Sequence, residues 1–297
     1  MAAIRFESVS KTFADTVALN DVSFAVGEGQ KVGLLGPNGS GKTTALRLVL
    51  NLFEPDSGHI DVLGTSPSHR LNERIGYLPE ERGLYRDMKV VDLLTYYARL
   101  KGHRVAPAAV NTWLERLHIS EYEYQRVRAL SKGTGQKVQF LTAVLHDPPL
   151  IILDEPFSGL DPVSRGHLLS AIDLLSRDGK TIIFSTHDMA AAESLCDGFV
   201  MLHRGKKVLD LSRSQLRDQT KERVIRVTTD TPLGETPIPG VERRLVKGHD
   251  SELILNPDTD PQSVLAEITS RHAVARFEIT HPSLEDLFLR LAGTQPA

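Results

Sequence analysis

The segment Gly36-Pro37-Asn38-Gly39-Ser40-Gly41-Lys42-Thr43-Thr44 constrains this chain more than any other. Residues 36–43 fit the pattern G-x-x-x-x-G-K-T. Closely spaced glycines let successive backbone N–H groups turn inward around anionic oxygens, and a following helix N-terminus adds partial positive charge. Such a loop needs a strand before it and a helix after it. Residues 31–35 read as a short buried strand, and residues 43–52 place Leu46, Val49 and Leu50 at helical spacing. Together they predict a site for the phosphates of ATP. Lys42 is expected to bridge the β- and γ-phosphates and the Thr43 hydroxyl to meet Mg²⁺. A glycine turn with a chance lysine is the bland alternative, and the flanking elements argue against it.

Leu150-Ile151-Ile152-Leu153-Asp154-Glu155 is the second informative run. An apolar strand ending in two carboxylates places them at the carboxyl edge of a sheet, where open α/β sheets bind ligands. Asp154 is expected to hold Mg²⁺ through water, and Glu155 to polarise the attacking water as general base. A strand ending in Asp-Glu is common by itself. Its weight comes from lying downstream of a phosphate loop.

The rest of the chain reads as α/β. Residues 1–63 are β-rich, and a helical insertion covers about 88–146, with Val91, Leu94 and Ala98, then Val110, Leu114 and Leu117, at helical spacing. Residues 150–153, 181–185 and 199–202 are continuous apolar strands separated by helices, the pattern of a doubly covered parallel sheet. Asp161-Pro162 reads as an N-cap followed by a first-turn proline. The domain boundary is expected at 221/222, with a small α+β unit over 222–297. That unit has strands at 224–227, 253–255 and 274–279, and helices starting at Asp260-Pro261 and at Ser283, where Asp286 completes a capping-box spacing. Residues 229–240 hold three prolines and two glycines and are expected to be loop rather than core.

Charge and composition exclude several function classes. The 297 residues carry 35 basic and 38 acidic side chains, a formal net charge of −3. From Glu222 onward there are 8 basic and 12 acidic residues, which leaves 27 against 26 for the larger part. Neither part is a basic patch, so no general affinity for nucleic acid or anionic lipid is expected. The single cysteine, Cys196, fits a reducing compartment and is expected to pack in the core. No N-terminal stretch has signal-peptide character, and no run approaches the roughly 20 apolar residues of a membrane span. A cytoplasmic protein is expected, held at a membrane only through a partner.

With these motifs in order, the chain resembles the ATP-binding subunits of ABC transporters over about residues 1–220. Phe13 matches the family's adenine-stacking aromatic, and Gly76-Tyr77-Leu78-Pro79-Glu80 matches the segment that normally ends in glutamine. Leu130-Ser131-Lys132-Gly133 matches the family signature, and Ser158-Gly159-Leu160-Asp161 the loop that crosses the dimer interface. Ser185-Thr186-His187 matches the switch histidine. Two departures stand out. Glu80 replaces the usual glutamine and adds negative charge, while Lys132 and Thr134 replace the commoner glycine and glutamine of the signature. Residues 80–85 and the C-terminal unit, with Pro282-Ser283-Leu284-Glu285-Asp286, resemble the subgroup that powers sodium- and drug-exporter-type systems.

The resemblance implies a P-loop ATPase working as a head-to-tail homodimer, or as a heterodimer with a related ATPase. ATP would lie between residues 36–44 of one subunit and Ser131, Gly133 and Asp161 of the other. Lys42, Glu80, Glu155 and His187 would carry catalysis, and Thr43, Asp154 and Glu80 would meet Mg²⁺. A separate membrane subunit would dock near residues 80–85 and conduct the transported substrate. Two other classes stay open. A soluble non-transport ATPase of the same type would show salt-dependent nucleic-acid binding. A catalytically weak regulatory subunit would lack Mg²⁺-dependent ATPase activity.

Overall fold

A computed structural model of the chain describes residues 1–81, 83–219, 223–234, 236–280 and 283–291. Arg82, Glu222 and Pro282, which enter the sequence reading, lie outside the described residues. Chain packing separates two compact units, Met1–Asp210 and Leu211–Ala297.

In the first unit, β1 (Ala2–Phe13) and β2 (Thr16–Gly27) form a hairpin, and β3 (Lys31–Leu35) leads through the glycine loop into α1 (Lys42–Val49). β4 (Ser57–Val62) returns beside β1, and β5 (Ile75–Leu78) follows. The helical insertion comprises α2 (Val90–Leu100), α3 (Pro107–Arg116) and α4 (Lys132–Val144). The chain then runs through β6 (Leu150–Asp154), α5 (Pro162–Arg177), β7 (Thr181–Thr186), α6 (Met189–Leu195), β8 (Gly198–His203) and β9 (Lys206–Ser212). The second part carries α7 (Arg213–Gln219), β10 (Val224–Thr229), β11 (Val241–Lys247), β12 (Asp250–Leu255), α8 (Pro261–Thr269), β13 (Val274–Thr280) and α9 (Leu284–Leu291).

The central sheet has the order β5-β6-β7-β3-β8-β9. Its pairs from β5 to β8 are all parallel. Parallel neighbours need crossover connections, and the helices between these strands supply them. β6 and β7 are buried along their whole length, which is why Leu150–Leu153 and Ile182–Phe184 are unbroken apolar runs. The register Leu35↔Thr186 and Asp154↔Ser185 brings the carboxyl ends of β3, β6 and β7 to one edge. The second sheet, β2-β1-β4, is antiparallel. Its inner residues Ile4, Phe6, Val22 and Phe24 share a core with Leu46, Leu48 and Val49 of α1 and with Ile152 and Val200 of the central sheet. Phe6 and Phe24 stack at 4.5 Å between ring centroids. The phosphate-loop helix is thus held from both sides.

Four features differ from the sequence reading. α1 ends at Val49 rather than at residue 52, because Asn51 takes a left-handed φ of 55° that stops the helix. β5, β9 and β11 were not foreseen as strands, and each lies at the edge of its sheet. Edge strands tolerate exposed polar residues, as in Glu242, Arg243 and Lys247 of β11, so the apolar pattern is lost there. In the second unit, Leu233 is 6% exposed and, with the partly buried Ile238, packs on the core of Ile225, Val227, Leu253, Val264 and Ile268. The proline-rich connection therefore contributes to the core it was expected to avoid. Finally, α7 groups with the second unit, so the packing division falls at 210/211 where the sequence suggested 221/222.

The remaining elements of that unit follow the local chemistry. Its antiparallel sheet has the order β11-β12-β10-β13. Asp260 caps α8 by accepting from Gln262 N–H at 3.1 Å. Ser283 and Asp286 cap α9 reciprocally: Asp286 N–H donates to Ser283 Oγ at 3.1 Å, and Ser283 N–H donates to Asp286 Oδ2 at 2.7 Å.

Candidate active site

β3 delivers the chain into the glycine loop at the carboxyl edge of the sheet. Gly41 caps α1 at φ 108°, and a Cβ there would come within 2.5 Å of the Ala18 carbonyl oxygen. Only glycine fits that position. A cavity of about 260 Å³ opens above the loop. Asn38, Gly39, Gly41, Lys42, Thr43 and Thr44 form its floor, Thr16, Val17 and Ala18 of β2 one wall, and Glu80 and Glu155 another. Lys42 is 6% exposed, and its ammonium donates to the carbonyls of Gly36 at 2.8 Å and Pro37 at 3.1 Å. Burial lowers its pKa, against the opposing pull of Glu155, Asp154 and Glu80. Those two carbonyls hold the amine at the rim of a cradle of N–H groups.

Glu155 lines the other side, and the buried Asp154 precedes it at the end of β6. The Ser185 hydroxyl on β7 donates to Asp154 Oδ1 and accepts from the Glu155 N–H at 3.0 Å. Thr43 Oγ1 donates to the same Asp154 oxygen at 3.3 Å. Glu155 adopts φ 47°, a left-handed backbone that costs a non-glycine residue on the order of 1–2 kcal/mol. That turn swings its carboxylate to 3.0 Å from His187 Nδ1 and 3.9 Å from Lys42 Nζ. His187 itself is largely exposed, whereas Glu155 is buried. A buried carboxylate with an exposed imidazole at its back suits a base that must reach a water in the cavity.

The other Asp154 oxygen, Oδ2, is buried and has no hydrogen-bond partner. An orphaned carboxylate oxygen beside a threonine hydroxyl fits a hard divalent cation that prefers oxygen ligands. Among the described residues, no group of three or more His, Cys, Asp and Glu side chains is placed to hold a metal ion. A cation beside Asp154 and Thr43 would draw further oxygens from Glu80, phosphate and water, the habit of Mg²⁺. Glu80 lines the same cavity. The carbonyls on either side of it, of Pro79 and Glu81, both accept from the Gln139 side-chain amide at 3.2 Å.

The remaining sequence-identified residues lie elsewhere. Ser131 caps α4, accepting from Thr134 N–H at 3.2 Å, and lines a different cavity with Leu84, Arg86, Val127, Arg128, Leu130 and Gly135. Asp161 caps α5, accepting from Val163 N–H at 3.0 Å and Ser164 N–H at 2.9 Å, and the Ser164 hydrogen bonds lead in lowering its pKa. Gly133 fits between these caps: a Cβ there would lie 2.8 Å from Ser164 Oγ and 3.3 Å from Asp161 Oδ2. Phe13 ends β1 and pairs with Thr16, which lines the phosphate cavity. The structure thus gathers Lys42, Thr43, Glu80, Asp154, Glu155 and His187, and sets Ser131, Gly133 and Asp161 in a second cluster. The sequence reading passed over Gln139, which bears on Glu80, and the three-residue wall at 16–18. Ser185 opens the histidine motif, and its place two residues before His187 is the signal that marks it.

Comparison with known proteins agrees with this geometry. The ABC transporter family model matches residues 19–158, and the model for the C-terminal domain of DrrA1-3-like ATP-binding proteins matches residues 212–292. The chain is 38% identical over 304 residues to the uncharacterized ABC transporter ATP-binding protein YhaQ of Bacillus subtilis (strain 168), covering 98% of each chain. It is 34% identical to Nod factor export ATP-binding protein I of Rhizobium sp. (strain N33), covering 99% of this chain and 98% of that one. Among solved structures, an ATP-binding subunit of an ABC transporter superimposes with a TM-score of 0.66 at 31% identity, over 73% of this chain and 92% of the other. With the cavity above the glycine loop, the matching family model and near full-length relatives in agreement, this chain belongs to the ABC transporter ATP-binding proteins.

Proposed function

We propose that the chain hydrolyses MgATP as one of a pair of ATPase subunits and drives export through a separate membrane-spanning subunit. The observation that carries the reading is the meeting of Lys42, Thr43, Asp154, Glu155 and His187 at the ends of three adjacent parallel strands. The triphosphate lies on the loop N–H groups, and Lys42 exchanges its carbonyl acceptors for phosphate oxygens. Mg²⁺, held by Thr43, Asp154 and Glu80, would supply charge neutralisation between the β- and γ-phosphates. Glu155 accepts a proton from the water that attacks the γ-phosphorus, and ADP departs with the electrons of the broken P–O bond. His187 orients that carboxylate through its 3.0 Å contact. Phe13 stacks on the adenine.

Ser131 and Gly133 cap and open α4 away from this cavity. Placed against a second subunit, they offer a hydroxyl, an N–H group and a helix N-terminus to the γ-phosphate there, with Asp161 at the seam. Closure on ATP and reopening after hydrolysis supply the stroke. No described helix is long and apolar enough to cross a membrane. In this reading the membrane subunit conducts the substrate and the chain works beside it on the cytoplasmic face, as its family membership supports. Export as the direction is supported by the relative named for Nod factor export, aligned over 99% of this chain.

Light scattering of the Glu155→Gln variant tests the arrangement. With ATP the mass should double and with ADP it should not. A mass unchanged by ATP at micromolar protein would sink the composite-site reading. Affinity capture of the chain from membranes should bring down a spanning subunit encoded alongside it, and recovery of the chain only in the soluble fraction would count against transport.

A further inference from the structure

The purine base of ATP needs a platform whose position is fixed relative to the phosphate loop, since the two ends of the nucleotide bind together. Phe13 is half-exposed at the tip of β1, where an isolated side chain would be free to turn. It is not isolated. Its ring meets that of Phe53 at 71° with centroids 5.0 Å apart, and the Lys11 ammonium stands 5.5 Å from its centroid. The backbone beneath it is clamped from the same loop as Phe53. Asp56 N–H donates to the Ser10 carbonyl at 2.9 Å. Its carboxylate accepts from Thr12 N–H at 2.7 Å and from Lys11 Nζ at 2.6 Å. The Lys11 and Thr12 hydrogen bonds hold the Asp56 carboxyl below its ordinary range.

That loop is the continuation of the phosphate-loop helix. Leu52 N–H still donates to the Arg47 carbonyl of α1 at 3.0 Å, and Phe53 and Asp56 follow directly. We infer that residues 51–56 are the mount of the base site: Phe53 is a second aromatic that sets the tilt of Phe13, and Asp56 fixes the strand end that carries it. Both are positioning residues for adenine recognition, and they tie the base platform rigidly to the helix that holds the phosphates. The inference rests on the assignment of Phe13 to adenine given above.

Calorimetric titration of the full chain with ATP and with inorganic tripolyphosphate, which has no base, isolates this role. Phe53→Ala and Asp56→Ala should each weaken ATP binding on the order of 5-fold, the scale of a lost aromatic contact. Both should leave tripolyphosphate binding within error of wild type. Phe53→Tyr should restore ATP affinity. ATP affinity unchanged in Phe53→Ala, or ATP and tripolyphosphate weakened equally in both variants, would overturn the inference. If Phe13→Ala weakens ATP binding while Phe53→Ala does not, the adenine assignment stands and the mount alone fails. If Phe13→Ala has no effect, both fall.

Discussion

The two clusters of catalytic character in the first unit are built differently. The phosphate cavity is prepared. Lys42, Asp154 and Glu155 are buried, each held by neighbours before any nucleotide arrives, and Glu155 keeps a left-handed backbone to point at the cavity. Ser131 and Asp161 of the other cluster use their side-chain oxygens to cap α4 and α5, with Gly133 between them. The difference teaches that one cluster is preorganised by buried contacts among its own side chains, while the polar groups of the other serve to cap helices.

The comparison breaks most sharply at Glu155. Glu155→Gln should slow turnover by about 10²–10⁴-fold, the usual contribution of a general base, with ATP affinity retained. Single-turnover hydrolysis measured beside nucleotide titration reads both quantities, and unchanged turnover would remove Glu155 from the role. Lys42→Ala should act on binding instead. Loss of a charge-assisted contact of about 1.5–3 kcal/mol corresponds to roughly 10- to 150-fold weaker ATP binding. A fluorescent-nucleotide titration checks it.

A third test separates site chemistry from the scaffold beneath it. His146 is buried, and burial, with Lys101 and His103 nearby, pushes its pKa down from 6.5 to about 4. The unfolded chain binds the extra proton first as pH falls. Stability should therefore be full above about pH 6.5 and decline toward pH 4, by up to about 3 kcal/mol at one pKa unit per 1.36 kcal/mol. Chemical denaturation of wild type against His146→Gln measures the difference, and equal slopes in that window would contradict it. The smallest effect belongs to the signature side. Ser131→Ala removes an N-cap worth about 1 kcal/mol and should lower the melting temperature by a few degrees. Its turnover should fall while monomeric ATP binding stays intact. Weakened binding by the monomer would place Ser131 in the phosphate cavity after all.

How much of this was legible follows from where each contact lies in the chain. Central strands such as β6 and β7 announce themselves because burial on both faces demands an unbroken apolar run. β5, β9 and β11 do not, because a sheet edge accepts charges and short length. Leu233 and Ile238 sit among prolines and glycines, whose turn chemistry is local, whereas their burial depends on a sheet face assembled from distant segments. Asp56 resembles any turn aspartate until β1 is folded beside it.

The sequence alone determined the glycine loop, because nine consecutive residues dictate its backbone. It also determined the parallel core strands and the helix caps at Asp161, Asp260 and Ser283, which are likewise local. Tertiary structure decided the rest. Only pairing of β6 with β7 sets Ser185 against Asp154 and His187 against Glu155, some thirty residues apart. Only the return of the chain after α1 sets Phe53 and Asp56 against Phe13 and Lys11. Contacts of that kind depend on which strands become neighbours, a choice made by the collective burial of the core and written in no single segment.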